Sequence, residues 1–232
     1  MKKRIIRVWH SGLGDALQLS TLPSLYHAIG DEVWISDKTP CNDQVYELVW
    51  GENPYVKGKT SMDANCGEIP GNEYKNLCDS FIGNWEMING FNHTNDYPII
   101  YYEPKIYKDL ENCTLIDMSC KSRKEDYDIN KLQEYLDNID NELVYQLSGN
   151  GIYNDRDYGF MRMVVNTIFD LCDYINSCKK YICLNSGGHS LASALKRNKD
   201  IDVDCLVTHT PTFDSMYVRK NFFYPNINYV WL

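Results

Sequence analysis

The sequence predicts an α/β protein built as two halves that face a central ligand cleft. Three observations predict it. Strand-like apolar runs alternate with helix-like segments along the chain, the pattern of parallel sheets covered by helices. Two strand–turn–helix passages carry paired glycines, Ser11-Gly12-Leu13-Gly14-Asp15 and Asn185-Ser186-Gly187-Gly188. The alternation pauses near residue 105 and begins again, dividing 232 residues into two parts that are each long enough to bury a core. In such folds a ligand binds at the carboxyl ends of the strands.

Each element has its own signal. Ile5 to Trp9 reads as the first strand, followed by the turn at 11–15. From Ala16 to Ile29, Leu17, Leu22, Leu25 and Ile29 recur at helical spacing, and Pro23 either kinks this helix or starts a new one. Gly30-Asp31 closes it, and Glu32 to Ser36 is the second strand. Thr39-Pro40 opens a helix predicted to reach Trp50. Gly51 to Tyr74, rich in Gly and Pro, reads as loop. Leu77 to Ile88 is a helix and Tyr97 to Tyr102 is extended. In the second half, Thr114 to Met118 is a strand, Ile129 to Ile139 a helix and Glu142 to Leu147 a strand. Ser148-Gly149-Asn150-Gly151 is a turn, and Met161 to Ile175 is predicted to be one long helix. Tyr181 to Leu184 is a strand, Ser190 to Lys196 a helix, and Cys205 to Thr208 and Ile227 to Trp231 are the last strands.

Composition narrows the function. Hydrophobic residues at 44% and charged residues at 24% describe an ordinary globular chain rather than a disordered one. A formal net charge of -9 argues against nucleic acid or an anionic membrane as partner, since both need clustered Lys and Arg. No apolar run reaches the roughly 20 residues of a membrane span. The apolar stretch behind Met1-Lys2-Lys3-Arg4 breaks at Arg7, too early for a signal peptide, so a cytoplasmic protein is expected. Nine scattered cysteines with no Cys-x-x-Cys pair fit reduced thiols better than disulfides or a structural zinc.

Three turns can carry chemistry. In the first, Gly12 and Gly14 allow the backbone to approach a ligand, while Leu17 stands where a dinucleotide fingerprint would have its last glycine. Asp15 is either a helix cap or a general base facing the cleft. The second turn sets Asn185, Ser186, Gly187, Gly188 and His189 at the start of a small-residue helix. This suits a diphosphate, and equally an ordinary capped turn. The third, Met118-Ser119-Cys120-Lys121-Ser122-Arg123-Lys124, is the most basic cluster of the chain, and is either a solvated loop or a counter-charge for phosphates. The histidines show no metal-like spacing.

Taken together, these motifs resemble glycosyltransferase family 9, the lipopolysaccharide heptosyltransferases. Val8 to Pro23, reading VWHSGLGDALQLSTLP, is similar to the family's amino-terminal strand, Gly-Asp turn and Thr-x-Pro helix. Ile168 to Leu195, with YICLNSGG at 181–188, is similar to its carboxyl-terminal motif. The resemblance implies a GT-B fold of two Rossmann-like domains, residues 1–105 on the acceptor side and 106–232 binding the nucleotide sugar. It implies a sugar moved from a nucleotide-sugar donor to an acceptor hydroxyl (glycan, lipid-linked sugar or other), with inversion and with no metal or other cofactor. Asp15 would be the base, with His10, Ser11, Gly12, Leu13 and Gly14 around the substrate. Ser119, Lys121, Arg123, Lys124, Asn185, Ser186, Gly187, Gly188 and His189 would hold the donor. The chain reads as a shortened, divergent member: Asn185 stands where the family has Asp, and Ser190 where it has His. The alternatives are a non-catalytic nucleotide-sugar-binding module, a nucleotide-sugar epimerase or hydrolase on the same fold, and an interaction protein with no small ligand.

Overall fold

The computed structural model describes residues 1–10, 12–73, 75–120, 127–140, 143–149, 156–209 and 223–232. The chain divides into two units, Met1–Glu103 with Arg219–Tyr224, and Pro104–Val218 with Pro225–Leu232.

The first unit holds a parallel four-stranded sheet. Its strands are β1 (Lys3–Arg7), β2 (Glu32–Ser36), β3 (Val56–Thr60) and β4 (Cys66–Gly67), in the spatial order β3-β2-β1-β4. Ile5, Ile6, Val33 and Ile35 are buried in it. The helical run expected from Ala16 to Ile29 is two helices, α1 (Leu13–Leu17) and α2 (Leu22–Ala28). Pro23 lies in the first turn of α2, where its missing N–H has no partner to lose, so it starts a helix rather than kinking one. Asn42, rather than Thr39-Pro40, caps α3 (Asp43–Tyr46), which widens into a π-helical turn over Glu47–Gly51. Ser80 caps α4 (Phe81–Ile88).

The stretch expected to be loop from Gly51 to Tyr74 carries β3 and β4. β3 is a lysine-bearing edge strand and β4 has only two residues, so neither shows an apolar run. β4 depends on Gly67: its φ is +80°, and a Cβ there would sit 2.6 Å from the Arg7 carbonyl oxygen.

The second unit is a six-stranded parallel sheet. β5 (Thr114–Asp117), β6 (Val144–Ser148), β7 (Met161–Val164), β8 (Lys180–Leu184), β9 (Asp202–Val207) and β10 (Asn228–Trp231) lie in the order β10-β9-β8-β5-β6-β7. Helices α5 (Ile129–Asp137), α6 (Ile168–Ser177) and α7 (Gly187–Leu195) connect them. The long helix expected over Met161–Ile175 is instead an edge strand, β7, followed by α6. Thr167 Oγ1 accepts the Asp170 N–H at 3.1 Å and Asp170 accepts the Thr167 N–H at 2.9 Å, a capping box that fixes the helix start at Ile168. Of the turn expected at 148–151, Ser148 ends β6 and residues 150 and 151 lie outside the described residues.

Both sheets share one topology. Each begins in the interior, grows outward for two more strands, then returns to add the next strand beside the first. The return creates a switch point, between β1 and β4 in the first unit and between β5 and β8 in the second, where α/β sheets bind ligands at their carboxyl ends. Among the described residues no helix is long and apolar enough to cross a membrane. The nine cysteines are free thiols.

Candidate functional site

Each switch point carries one of the predicted glycine turns. In the first unit the chain leaves β1 through Trp9 and His10 and enters α1 at Gly12, the N-cap. Ser11 lies outside the described residues. Asp15 is the third residue of α1, and its Oδ2 accepts the Gly12 N–H at 3.1 Å. A Cβ at position 12 would press on this carboxylate and turn it away from its bond to the Gly12 N–H. Leu13 and Gly14 are half-buried, as is Asp15, and His10 is exposed. Burial pushes the Asp15 carboxyl above the usual range, while His10 and the Gly12 N–H pull it back. A carboxylate so raised is a stronger base than an exposed one.

A residue absent from the sequence-based expectations lies beside it. Glu68 follows β4 and accepts the Trp9 N–H at 2.6 Å and the Gln18 amide at 2.9 Å. Burial and the Asp15 charge push its carboxyl up. The Cys41 thiol is pushed up to about 11 by burial and by the charges of Asp15 and Glu68.

In the second unit, Asn185 and Ser186 connect β8 to α7. Ser186 caps the helix, accepting the Gly188 N–H at 3.3 Å. His189 is buried, edge-on to Tyr229, and accepts the Ser186 N–H on Nδ1 at 3.1 Å. It takes the place that Glu or Gln usually fills in a capping box. The Asn185 N–H reaches the Tyr127 hydroxyl at 3.2 Å. Its Nδ2 is buried and has no partner among the described residues, while the residue as a whole is 7% exposed.

Beneath this turn lies a second residue that sequence reading missed. Asp117 ends β5 fully buried and receives the Tyr181 hydroxyl at 2.7 Å, the Ser119 hydroxyl at 2.5 Å and the Ser119 N–H at 2.9 Å. Burial pushes its carboxyl up, and Ser119 and Tyr181 pull it back. Ser119 therefore gives its hydroxyl proton to Asp117, which leaves lone pairs rather than a donor for a ligand. Lys121, Arg123 and Lys124 lie outside the described residues. A cavity of about 730 Å³ opens at the opposite, N-terminal edge of this sheet, against Thr114, Tyr135, Lys180 and Asp202, and no predicted site residue lines it.

Solved structures share this fold. TibC, an iron-containing dodecameric glycosyltransferase from enterotoxigenic E. coli, matches 99% of this chain at a TM-score of 0.65 and 12% identity. A family 9 glycosyl transferase from Veillonella parvula matches 100% of the chain and 85% of its own length, at a TM-score of 0.61 and 9% identity. This is the fold of the family 9 glycosyltransferases. E. coli heptosyltransferase WaaC, solved with ADP-2-deoxy-2-fluoro heptose, has the same family 9 fold, at a TM-score of 0.57 and 8% identity over 100% of this chain and 93% of its own. The chain spans 61% of the length of TibC. By sequence it matches no family model and no curated protein. Among the described residues no group of three or more His, Cys, Asp or Glu side chains could hold a metal ion.

Proposed function

We propose that the chain is a cytoplasmic glycosyltransferase that moves a sugar from a nucleotide-sugar donor to an acceptor hydroxyl, with inversion and without a metal ion. The observation that carries this reading is Asp15: a raised carboxylate at the switch point of its own sheet, on the family 9 fold. The first unit takes the acceptor and the second the donor. The acceptor oxygen attacks the anomeric carbon as Asp15 removes its proton, and the bond to the nucleoside diphosphate breaks with inversion. The negative charge of the leaving group meets the N-terminus of α7 at Ser186-Gly187-Gly188. Sugar nucleotides are bound in solved structures of the same fold: TibC was solved with ADP-D-β-D-heptose and WaaC with ADP-2-deoxy-2-fluoro heptose.

A second reading has its own support. The Asp15 carboxylate already caps α1 through Gly12, which a binding module that lacks catalysis would also need. Two experiments separate the readings. The first is thermal unfolding with ADP-, GDP-, UDP-, CMP- and dTDP-sugars in EDTA. One class at 100 times its dissociation constant should stabilise the protein by about 2.7 kcal/mol. The second is Asp15→Asn, which should keep that shift and lose transfer. Silence towards every nucleotide refutes donor binding, and full transfer by Asp15→Asn refutes the base.

A further inference from the structure

Glu68 stands where the topology of the first unit concentrates chemistry. It follows β4, the strand that returns beside β1, so it reaches the carboxyl edge of the sheet next to the Asp15 turn. Gly67 allows β4 to lie against the Arg7 carbonyl, and the Glu68 N–H bonds that carbonyl at 2.9 Å. The side chain then joins a hydrogen-bond chain with a fixed polarity. Trp85 Nε1–H on α4 donates to Gln18 Oε1 at 2.9 Å. Gln18 Nε2 donates to Glu68 Oε1 at 2.9 Å, and the Trp9 N–H donates to Glu68 Oε2 at 2.6 Å.

Both ends of this chain are N–H groups, which only donate. Gln18 accepts at one end and donates at the other. The residue between Gln18 and Trp9 must therefore accept on both of its terminal atoms, which a carboxylate does and an amide, with its single oxygen, does not. Gln18 and Trp85 are buried, so a mismatched polarity would leave a polar atom without water. Trp9 and Gln18 bracket Asp15 in sequence, so one carboxylate grips the chain on both sides of it.

The geometry points to Glu68 as the positioning residue of Asp15: it ties the end of β1 and the far end of α1 to one anchor and so holds the base in place for proton removal. This rests on the transfer reading above. The charged and titratable groups facing Glu68 are Asp15 from α1, His10 after β1 and Cys41 before α3.

The test uses Glu68→Gln and the exchange variant Glu68→Gln with Gln18→Glu. The single variant sets two amide donors against each other. The exchange restores the polarity throughout: Trp85 donates to Glu at 18, Gln at 68 donates to its other oxygen, and Trp9 donates to the oxygen of Gln at 68. Nucleotide release is measured from whichever sugar-nucleotide class stabilises the protein. The single variant should lower kcat by up to about 100-fold with donor KM little changed, and the exchange should recover most of it. Trp9 amide exchange should accelerate in Glu68→Gln and slow again in the exchange variant. Unchanged Trp9 exchange in Glu68→Gln overturns the inference, as does a kcat loss that the exchange fails to recover. If Asp15→Asn abolishes transfer while Glu68→Gln retains it, only this inference falls. If no sugar nucleotide stabilises the protein, or Asp15→Asn transfers normally, the functional reading falls and takes this with it.

Discussion

Replacing Gly188 by alanine should destabilise the second unit by an amount that can be worked from its surroundings. Gly188 is the second residue of α7, and a Cβ there would sit 2.5 Å from the Tyr181 hydroxyl and 2.9 Å from Asp117 Oδ2. Neither oxygen can swing aside. The Tyr181 ring is fully buried and its hydroxyl is bound to Asp117 at 2.7 Å, while the other Asp117 oxygen holds Ser119. The methyl must push the ring away or split the hydrogen bond. Overpacking costs about 1–3 kcal/mol and a lost bond to a carboxylate about 1.5–3, against a gain of about 1 from the better helix propensity of alanine. Pushing the ring away also splits its bond to Asp117, so both costs apply and a net loss of about 1.5–5 kcal/mol follows, or roughly 3–20 °C in Tm for a chain of this size. Thermal and urea unfolding followed by circular dichroism read it directly. Tyr181→Phe removes the colliding oxygen, so in that background Gly188→Ala should cost at least about 1 kcal/mol less, a coupling that a double-mutant cycle measures. A Gly188→Ala protein as stable as the wild type, or one with the same cost in both backgrounds, would refute the packing argument.

The remaining predictions concern charge. Asp15→Asn should keep the helix cap, since its amide oxygen still accepts from Gly12, and should lose transfer without losing the donor-induced thermal shift. Because burial raises the Asp15 carboxyl in the folded state, the folded chain holds that proton more tightly than the unfolded one. Its contribution to stability therefore falls as pH rises from the unfolded carboxylate range, about 3.9, through the folded value. Asp15→Asn should accordingly be at least as stable as the wild type at neutral pH, and a lower urea midpoint there would contradict this. Asp204 runs the other way. Burial pushes its carboxyl up, but Lys180 at 2.6 Å, Asn228 at 2.6 Å and Tyr135 at 2.9 Å together hold it below the usual range. Its stabilisation is present above the unfolded value of about 3.9 and is lost as pH falls through the folded one. Asp204→Asn should cost about 1–3 kcal/mol at pH 7, with the gap to wild type closing in acid, and a gap that stays constant between pH 7 and acid would count against the assignment.

Sequence alone carried whatever depends on neighbours along the chain. The apolar runs of β2, β5 and β8 and the two glycine turns were legible because their signals lie within a few residues, whereas Thr39-Pro40 misled, since Asn42 caps α3. The turns led to Asp15 and to Ser186-Gly187-Gly188, which do sit at the carboxyl edges of their sheets. Tertiary structure decided what depends on distant partners. β4 exists as a two-residue strand only because Gly67 can lie against Arg7, sixty positions earlier. β7 reads as helix by its spacing and becomes a strand because it pairs with β6 and because Thr167 and Asp170 cap the helix that follows. Asp117 looked like the end of an ordinary strand and Glu68 like a loop residue. Each became part of a switch point only when strand order brought β8 beside β5 and β4 beside β1. The physical reason is one of range: side-chain periodicity and capping act over one or two turns of chain, whereas strand order is set by which apolar faces bury one another, and only that burial decides which carboxylates share a site.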